Sequence, residues 1–169
     1  IIEQERIGGS CLHRGIYPLK LGLSLLREDK SKFKNNSDID SKKLFREITD
    51  SMLTLSHRWE QRLTDSGVTI ITGKGLLLSS LLVQVDLNGK TVEVGTKKLI
   101  IATGSTPLSL PTLPFESDII IPVDDILKNH SIPERVFIMG TDSNAYELSN
   151  FYRLLGSKVF LSSEKSRLF

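Results

Sequence analysis

The sequence predicts an α/β fold, and three observations predict it. A long stretch with apolar residues at helical spacing runs over 41–65. After it the period shortens, and strand-like runs separated by turn residues take over. Near the end, over 136–161, a strand, a tight glycine turn, a helix, a glycine and a second strand follow in order. That order is a βαβ unit, one half of a dinucleotide-binding fold. A chain of 169 residues holds one domain or pieces of two.

Taken in order, Ile1-Ile2 reads as the end of a buried strand with Glu3 at its tip. Residues 8–28 read as a Gly-rich loop running into a helix, and 29–39 as a charged, exposed loop. Over 41–65, Leu44, Phe45, Ile48, Met52, Leu55, Trp59 and Leu63 make one apolar stripe, which is core or interface. Asp40 or Ser41 can cap its start, and Gly67 stands where a C-terminal cap belongs. Residues 68–72 and 82–87 read as strands, with Asn88-Gly89 a two-residue hairpin turn returning through 91–94. Residues 99–102 read as a short buried strand ending at Thr103-Gly104-Ser105. The Pro-rich stretch 106–117 reads as a connection between domains. A short strand at 119–121 and a short helix at 124–129 follow. The βαβ unit then takes its helix from about 143 to 155, with Gly156 ending it.

Composition excludes several classes. Apolar content of 39% and charged content of 25% are those of a soluble globular protein. A net charge of +2 gives no footprint for nucleic acid or a membrane surface. No apolar run is long enough to span a bilayer, and the opening residues lack the basic flank and apolar core of a signal peptide. A single cysteine rules out an intrachain disulfide framework and suits a reducing, cytoplasmic compartment. His13, His57 and His130 are far apart and, with one cysteine, suggest no metal site. His57 reads as solvated or packed. The lack of an initiator Met and the stop at Leu168-Phe169 read as the ends of a fragment.

Several residues could carry chemistry. Glu3, at a strand tip, can accept hydrogen bonds from both ribose hydroxyls of an adenine nucleotide, or it is a solvated acid. Ser10 and Cys11 open a helix, whose free N–H groups and positive dipole end suit a phosphate or a thiolate. Cys11 is then either a reactive thiol or a small buried apolar residue. Gly73 and Gly75 let backbone approach a ligand, or form a plain turn. Thr103-Gly104-Ser105 ends a strand, where open α/β sheets bind ligands.

Gly140-Thr141-Asp142-Ser143-Asn144-Ala145 stands where a GxGxxG loop is expected. Gly140 keeps the first position and Ala145 suits the last. Asp142 takes the middle one, where a carboxylate blocks close approach and repels a pyrophosphate. Ser163, with Glu164 beside it, stands at the strand end that should read the second ribose. The other reading makes this loop a structural turn, with Asp142 or Ser143 capping the helix.

Four ordered motifs together resemble the class I pyridine nucleotide–disulfide oxidoreductases, the family of lipoamide dehydrogenase, glutathione reductase, mercuric reductase and the soluble transhydrogenase. They are Gly8-Gly9-Ser10-Cys11 through Lys20, Gly73-Lys74-Gly75, Ala102-Thr103-Gly104-Ser105, and the Gly140 turn with Glu147. The resemblance runs along essentially the whole chain. It implies partial Rossmann-like FAD- and NAD(P)-binding domains with a β-hairpin or meander insertion at 82–94. Residues 1–115 would be the later part of the FAD-binding domain and 116–169 the first part of the NAD(P)-binding domain. The first FAD phosphate loop and the dimerisation domain, which supplies a catalytic His–Glu pair, would lie outside the chain.

The resemblance also implies roles. The position of Cys11 attacks substrate in the family, and the position of Ile16 holds the flavin-contacting sulfur. Ile16 carries no thiolate, so dithiol–disulfide exchange cannot run here. Cys11-Leu12-His13 is similar to the transhydrogenase pattern, which keeps the first cysteine, places a His two residues on, and lacks the second. Lys20, following Pro18, would lie by flavin N5 paired with Glu147, where a cation stabilises reduced flavin. A buried ion pair is costly unless something needs it; the alternative is two surface charges that never meet. Cys11, Lys20 and Glu147 are thus the implied catalytic residues. Glu3, Gly9, Ser10, Lys20, Gly75, Thr103, Gly104, Ser105 and Gly140 are the implied cofactor contacts.

The function implied is a homodimeric, FAD-dependent NAD(P)H oxidoreductase related to dihydrolipoamide dehydrogenase, without the disulfide relay. It would pass electrons to a small-molecule acceptor such as a quinone, dye, oxygen or second nucleotide. One alternative is a catalytically degenerate relative that binds FAD or nothing and serves as a structural or interaction protein. Another is a soluble transhydrogenase-like flavoprotein.

Overall fold

The computed structural model describes residues 1–28, 40–115, 119–128 and 131–162. The chain forms two compact units: Ile1–Gly9 with Thr54–Thr106, and Ser10–Leu53 with Pro107–Phe169.

The second unit begins with two helices, α1 (Gly9–His13, whose first residue belongs to the other unit) and α2 (Ile16–Glu28). The sequence leads one to expect a single helix here; the break at Arg14-Gly15 follows from Pro18. A proline ring collides with the carbonyl four residues before it, here that of Arg14, so a helix cannot run through. Within the first turn of a new helix the missing N–H costs nothing. From there Leu19, Leu23 and Leu26 make the buried stripe of α2. Helix α3 (Ser41–Asp65) starts under Asp40, whose Oδ1 accepts from the Lys43 N–H at 3.1 Å. Its first half adds Leu44, Phe45, Ile48 and Met52 to the same core.

A parallel pair, β6 (Arg135–Met139) and β7 (Lys158–Ser162), flanks α4 (Ser143–Leu154). This is the expected strand–helix–strand. Phe151 of α4 is fully buried, edge-on to Phe45 at 6.3 Å and to Tyr152 at 5.7 Å. Burial raises the Tyr152 pKa, because the phenolate loses its water. The Ser157 hydroxyl, also buried, donates to the Pro133 carbonyl at 2.6 Å.

The first unit pairs β1 (Ile2–Glu3) with β2 (Ile71–Thr72) in parallel. The expected strand at 68–72 shrinks to its last two residues, because the end of α3 takes the rest. Gly67 lies at φ +81°, and the Val68 and Gly67 N–H groups close back onto Leu63 and Thr64. The second half of α3 holds the chain start: buried Ser56 donates to the Ile7 carbonyl at 2.6 Å. A separate antiparallel sheet follows, ordered β3 (Lys74–Ser79), β4 (Leu82–Asp86), β5 (Thr91–Gly95). Asn88 and Gly89, at φ 59° and 97°, make the expected two-residue turn. Val83 and Val85 alternate inward on β4.

Other expectations give way. Strand β3 was not expected, since the glycines of 73–75 masked its start. Residues 99–102 and 119–121 are not strands. Among the described residues neither run joins a sheet, and an apolar run becomes a strand only where a neighbour completes its ladder. Ile100, Ile101 and Ile119 stand 88%, 71% and 90% exposed, and Ile1 is exposed rather than buried. Over the described part of the expected helix at 124–129 there is a single 3-10 turn, Val123–Asp125. The expected loop at 29–39, His130 and the Ser163-Glu164 pair lie outside the described residues.

Candidate functional site

In the second unit, α2 and α4 approach so that the Lys20 ammonium donates to Glu147 Oε1 at 2.7 Å. These residues, 127 positions apart, therefore meet. The pair is not fully buried: the Lys20 side chain is 59% exposed and that of Glu147 24%. Yet the other carboxylate oxygen, Oε2, is buried and without a hydrogen-bond partner among the described residues. A buried carboxylate oxygen with nothing to accept from is unusual in a folded chain.

What sets this approach is Gly22. A Cβ there would meet Phe151 Cε2 at 2.6 Å and Ile48 Cδ1 at 3.1 Å. Only a residue without a side chain lets α4 lie this near α2. Sequence reasoning missed Gly22; the available signal was a lone glycine within a run of leucines.

Cys11 lies in the middle of α1 and is exposed, so it is not a small core residue. Ile16 opens α2 and is 41% exposed. Cys11 and Ile16 thus stand on separate helices. Ser10 is exposed in the first turn of α1. Gly9, at φ +57° with open space around it, begins that helix. His57 is exposed, its ring 3.8 Å from Glu60.

In the first unit, Glu3 ends β1, and its Oε1 accepts from the Glu5 N–H at 2.9 Å. The Gly73 N–H donates to the Glu3 carbonyl at 2.9 Å. Gly73, not Gly75, is the constrained glycine. A Cβ at 73 would collide with the Asp86 carbonyl oxygen, whereas at 75 it makes only ordinary contacts. Gly73 is thus explained by close passage of β4. Thr103, Gly104 and Ser105 are exposed and lie outside any strand, Gly104 at φ +73° with open space around it.

The loop between β6 and α4 splits by role. A Cβ on Gly140 would meet Ala145 Cβ at 3.0 Å, so the glycine and the alanine pack the helix onto the strand. Asp142, not Ser143, is the N-cap: its Oδ1 accepts from the Ala145 N–H at 2.9 Å. Its Oδ2 is 3.5 Å from the Asn144 amide.

Among the described residues no group of three or more His, Cys, Asp or Glu could hold a metal. No described helix is long and apolar enough to cross a membrane.

This pattern of strands, turns and a Lys–Glu pair places the chain in a known class. The description of the pyridine nucleotide-disulphide oxidoreductases matches residues 1–169, and the chain belongs to that family. It is 36% identical over 171 residues to dihydrolipoyl dehydrogenase of Buchnera aphidicola subsp. Schizaphis graminum, covering 94% of this chain and 35% of that protein. It is 31% identical to the chloroplastic dihydrolipoyl dehydrogenase 2 of Arabidopsis thaliana, covering 94% and 29%. The fold is similar to that of LpdA from Mycobacterium tuberculosis, with a TM-score of 0.88, 18% identity and coverage of 99% of this chain and 39% of that one. It is also similar to the HOCl-induced flavoprotein disulfide reductase RclA from Escherichia coli, with TM-score 0.82, 20% identity and coverage of 99% and 37%. The chain spans about a third of the length of these relatives.

Proposed function

We propose that the whole protein is an FAD-dependent oxidoreductase of the dihydrolipoamide dehydrogenase type that works without a dithiol relay. The observation that carries this reading is the Lys20–Glu147 pair at 2.7 Å with its orphaned Oε2. A half-exposed ammonium backed by a partly buried carboxylate fits the polar edge of a flavin ring, which needs a positive charge close by when it is reduced. Bound FAD would supply two-electron chemistry, and the family's reductant is NAD(P)H. Lys20 would hold the charge, and Glu147 would hold Lys20. Glu3, Gly9, Ser10, Gly75, Thr103, Gly104 and Ser105 are the further FAD contacts of this reading, with Gly140 in the second nucleotide loop. Residues 1–115 would derive from the FAD-binding domain and 116–169 from the NAD(P)-binding one.

A disulfide needs two sulfurs about 2.05 Å apart, and the family's two positions here carry Cys11 and Ile16. The acceptor is therefore a small molecule such as a quinone, dye, oxygen or second nucleotide rather than a disulfide. The last of these is the transhydrogenase-like version. The two substitutions at 16 and 142 favour a second reading, a catalytically inactive relative kept for binding or structure. Homodimerisation and a cytoplasmic location complete the proposal.

The test is a visible absorption spectrum of the full-length protein, followed by anaerobic reduction and by assays with lipoamide and with a quinone. Flavin bands with quinone turnover and no lipoamide turnover support the proposal. A colourless protein that does not take up added FAD overturns it, and lipoamide turnover overturns the missing relay.

A further inference from the structure

In a βαβ unit a dinucleotide lays its pyrophosphate on the free N–H groups that open the helix. Here one of those N–H groups is already taken. Asp142 Oδ1 accepts from the Ala145 N–H at 2.9 Å, and Oδ2 faces the Asn144 amide. A carboxylate thus satisfies a donor a phosphate would need and puts a negative charge where the phosphate would sit. The scaffold around it is intact. Gly140 and Ala145 pack strand against helix, and β6 and β7 keep their parallel register. Within the loop itself, Asp142 is the position that departs from the GxGxxG pattern.

We infer that Asp142 is a built-in anion that keeps a dinucleotide pyrophosphate off α4. It is a specificity-determining residue, and the 135–162 unit serves as scaffold rather than as a nicotinamide-nucleotide site in the ordinary pose. A reductant of the flavin is then held elsewhere, or carries no pyrophosphate at this point. The inference does not depend on the flavin reading.

The experiment is calorimetric titration of the full-length protein with ADP-ribose, in the presence of excess FAD so that any flavin site is filled. Adenosine, which lacks the pyrophosphate, is the control. Wild type, Asp142→Gly and Asp142→Asn are compared, with circular dichroism to show that each is folded. Asparagine keeps the cap and removes the charge; glycine removes both. The expected result is an ADP-ribose affinity at least about tenfold higher in Asp142→Gly than in wild type, with Asp142→Asn between and adenosine indifferent. Equal affinities in wild type and Asp142→Gly, whether both tight or both absent, overturn the inference. Flavin retained in the same samples is read from their colour, so failure here and failure of the flavoprotein reading are separate results.

Discussion

Replacing Gly22 with alanine pits two known effects against each other. In a helix interior alanine is favoured over glycine by about 1 kcal/mol, so propensity alone calls for a more stable protein. Against this, the new methyl would sit 2.6 Å from Phe151 Cε2 and 3.1 Å from Ile48 Cδ1. Phe151 is 1% exposed and has ring neighbours in Phe45 and Tyr152, so it has little room to retreat. Overpacking a filled core costs about 1–3 kcal/mol. Packing wins, and Gly22→Ala is expected to destabilise by about 1 kcal/mol net. Urea unfolding measures it, as a lower midpoint at unchanged slope. Phe151→Leu removes the clashing ring edge. The double variant should therefore be less damaged than the sum of the singles, by about 1 kcal/mol in the cycle. A stabilised Gly22→Ala, or strict additivity with Phe151→Leu, would refute the reasoning. It would also remove the account of how α2 and α4 bring Lys20 to Glu147.

Lys20→Met should cost no more than about 1 kcal/mol of stability, since Lys20 is 59% exposed and solvent already screens its charge. A larger loss in thermal or urea unfolding would mean the pair is more structural than its exposure allows. Tyr152 gives a pH signature. Its pKa is raised in the fold, so its contribution is complete below about pH 10, the ordinary tyrosine value, and is lost as pH rises through the folded value. Wild type should lose stability above pH 10 relative to Tyr152→Phe in parallel melts, and identical alkaline profiles would contradict the assignment. Cys11, exposed on α1, should be alkylated by iodoacetamide in the native state, read by mass on the peptide that carries it; a thiol that reacts only after unfolding would contradict its placement.

What could be read from the sequence was local. The apolar stripe of 41–65 and the Asp40 and Gly67 caps give α3 its bounds, because periodicity and capping need only neighbouring residues. The Asn88-Gly89 turn and the βαβ unit are legible for the same reason. Long-range partners were not. Ile100 and Ile119 have strand-forming neighbours in sequence, but among the described residues their apolar runs join no sheet. Strand β3 was hidden because Gly73 and Gly75 look like ligand contacts. The requirement at Gly73 comes instead from the Asp86 carbonyl across the sheet. For Lys20 and Glu147, the Gly22–Phe151 contact that brings the two helices together is tertiary, and no single-chain periodicity reveals it.

The two positions that the proposed function reads as departures from the family pattern share one physical property. Ile16 is 41% exposed at the head of α2, and Asp142 is exposed at the head of α4. Neither side chain belongs to the core that joins α2, α3 and α4. Residues that hold the architecture, Gly22, Phe151, Gly140 and Ala145, have no such freedom, since each meets a neighbour closely. Exchange at a helix head can remove a sulfur or add a carboxylate while leaving packing unchanged, and Asp142 contributes a cap of its own, worth about 1 kcal/mol. On the proposed function, fold and chemistry are therefore separable in this chain at named atoms. Asp142→Gly should lower stability slightly by removing the cap while opening the helix end to an anion, and Ile16→Cys should return a second thiol without disturbing the core. If either exchange unfolded the protein, the heads of α2 and α4 would be structural, and the altered chemistry would be a consequence of packing rather than an independent change.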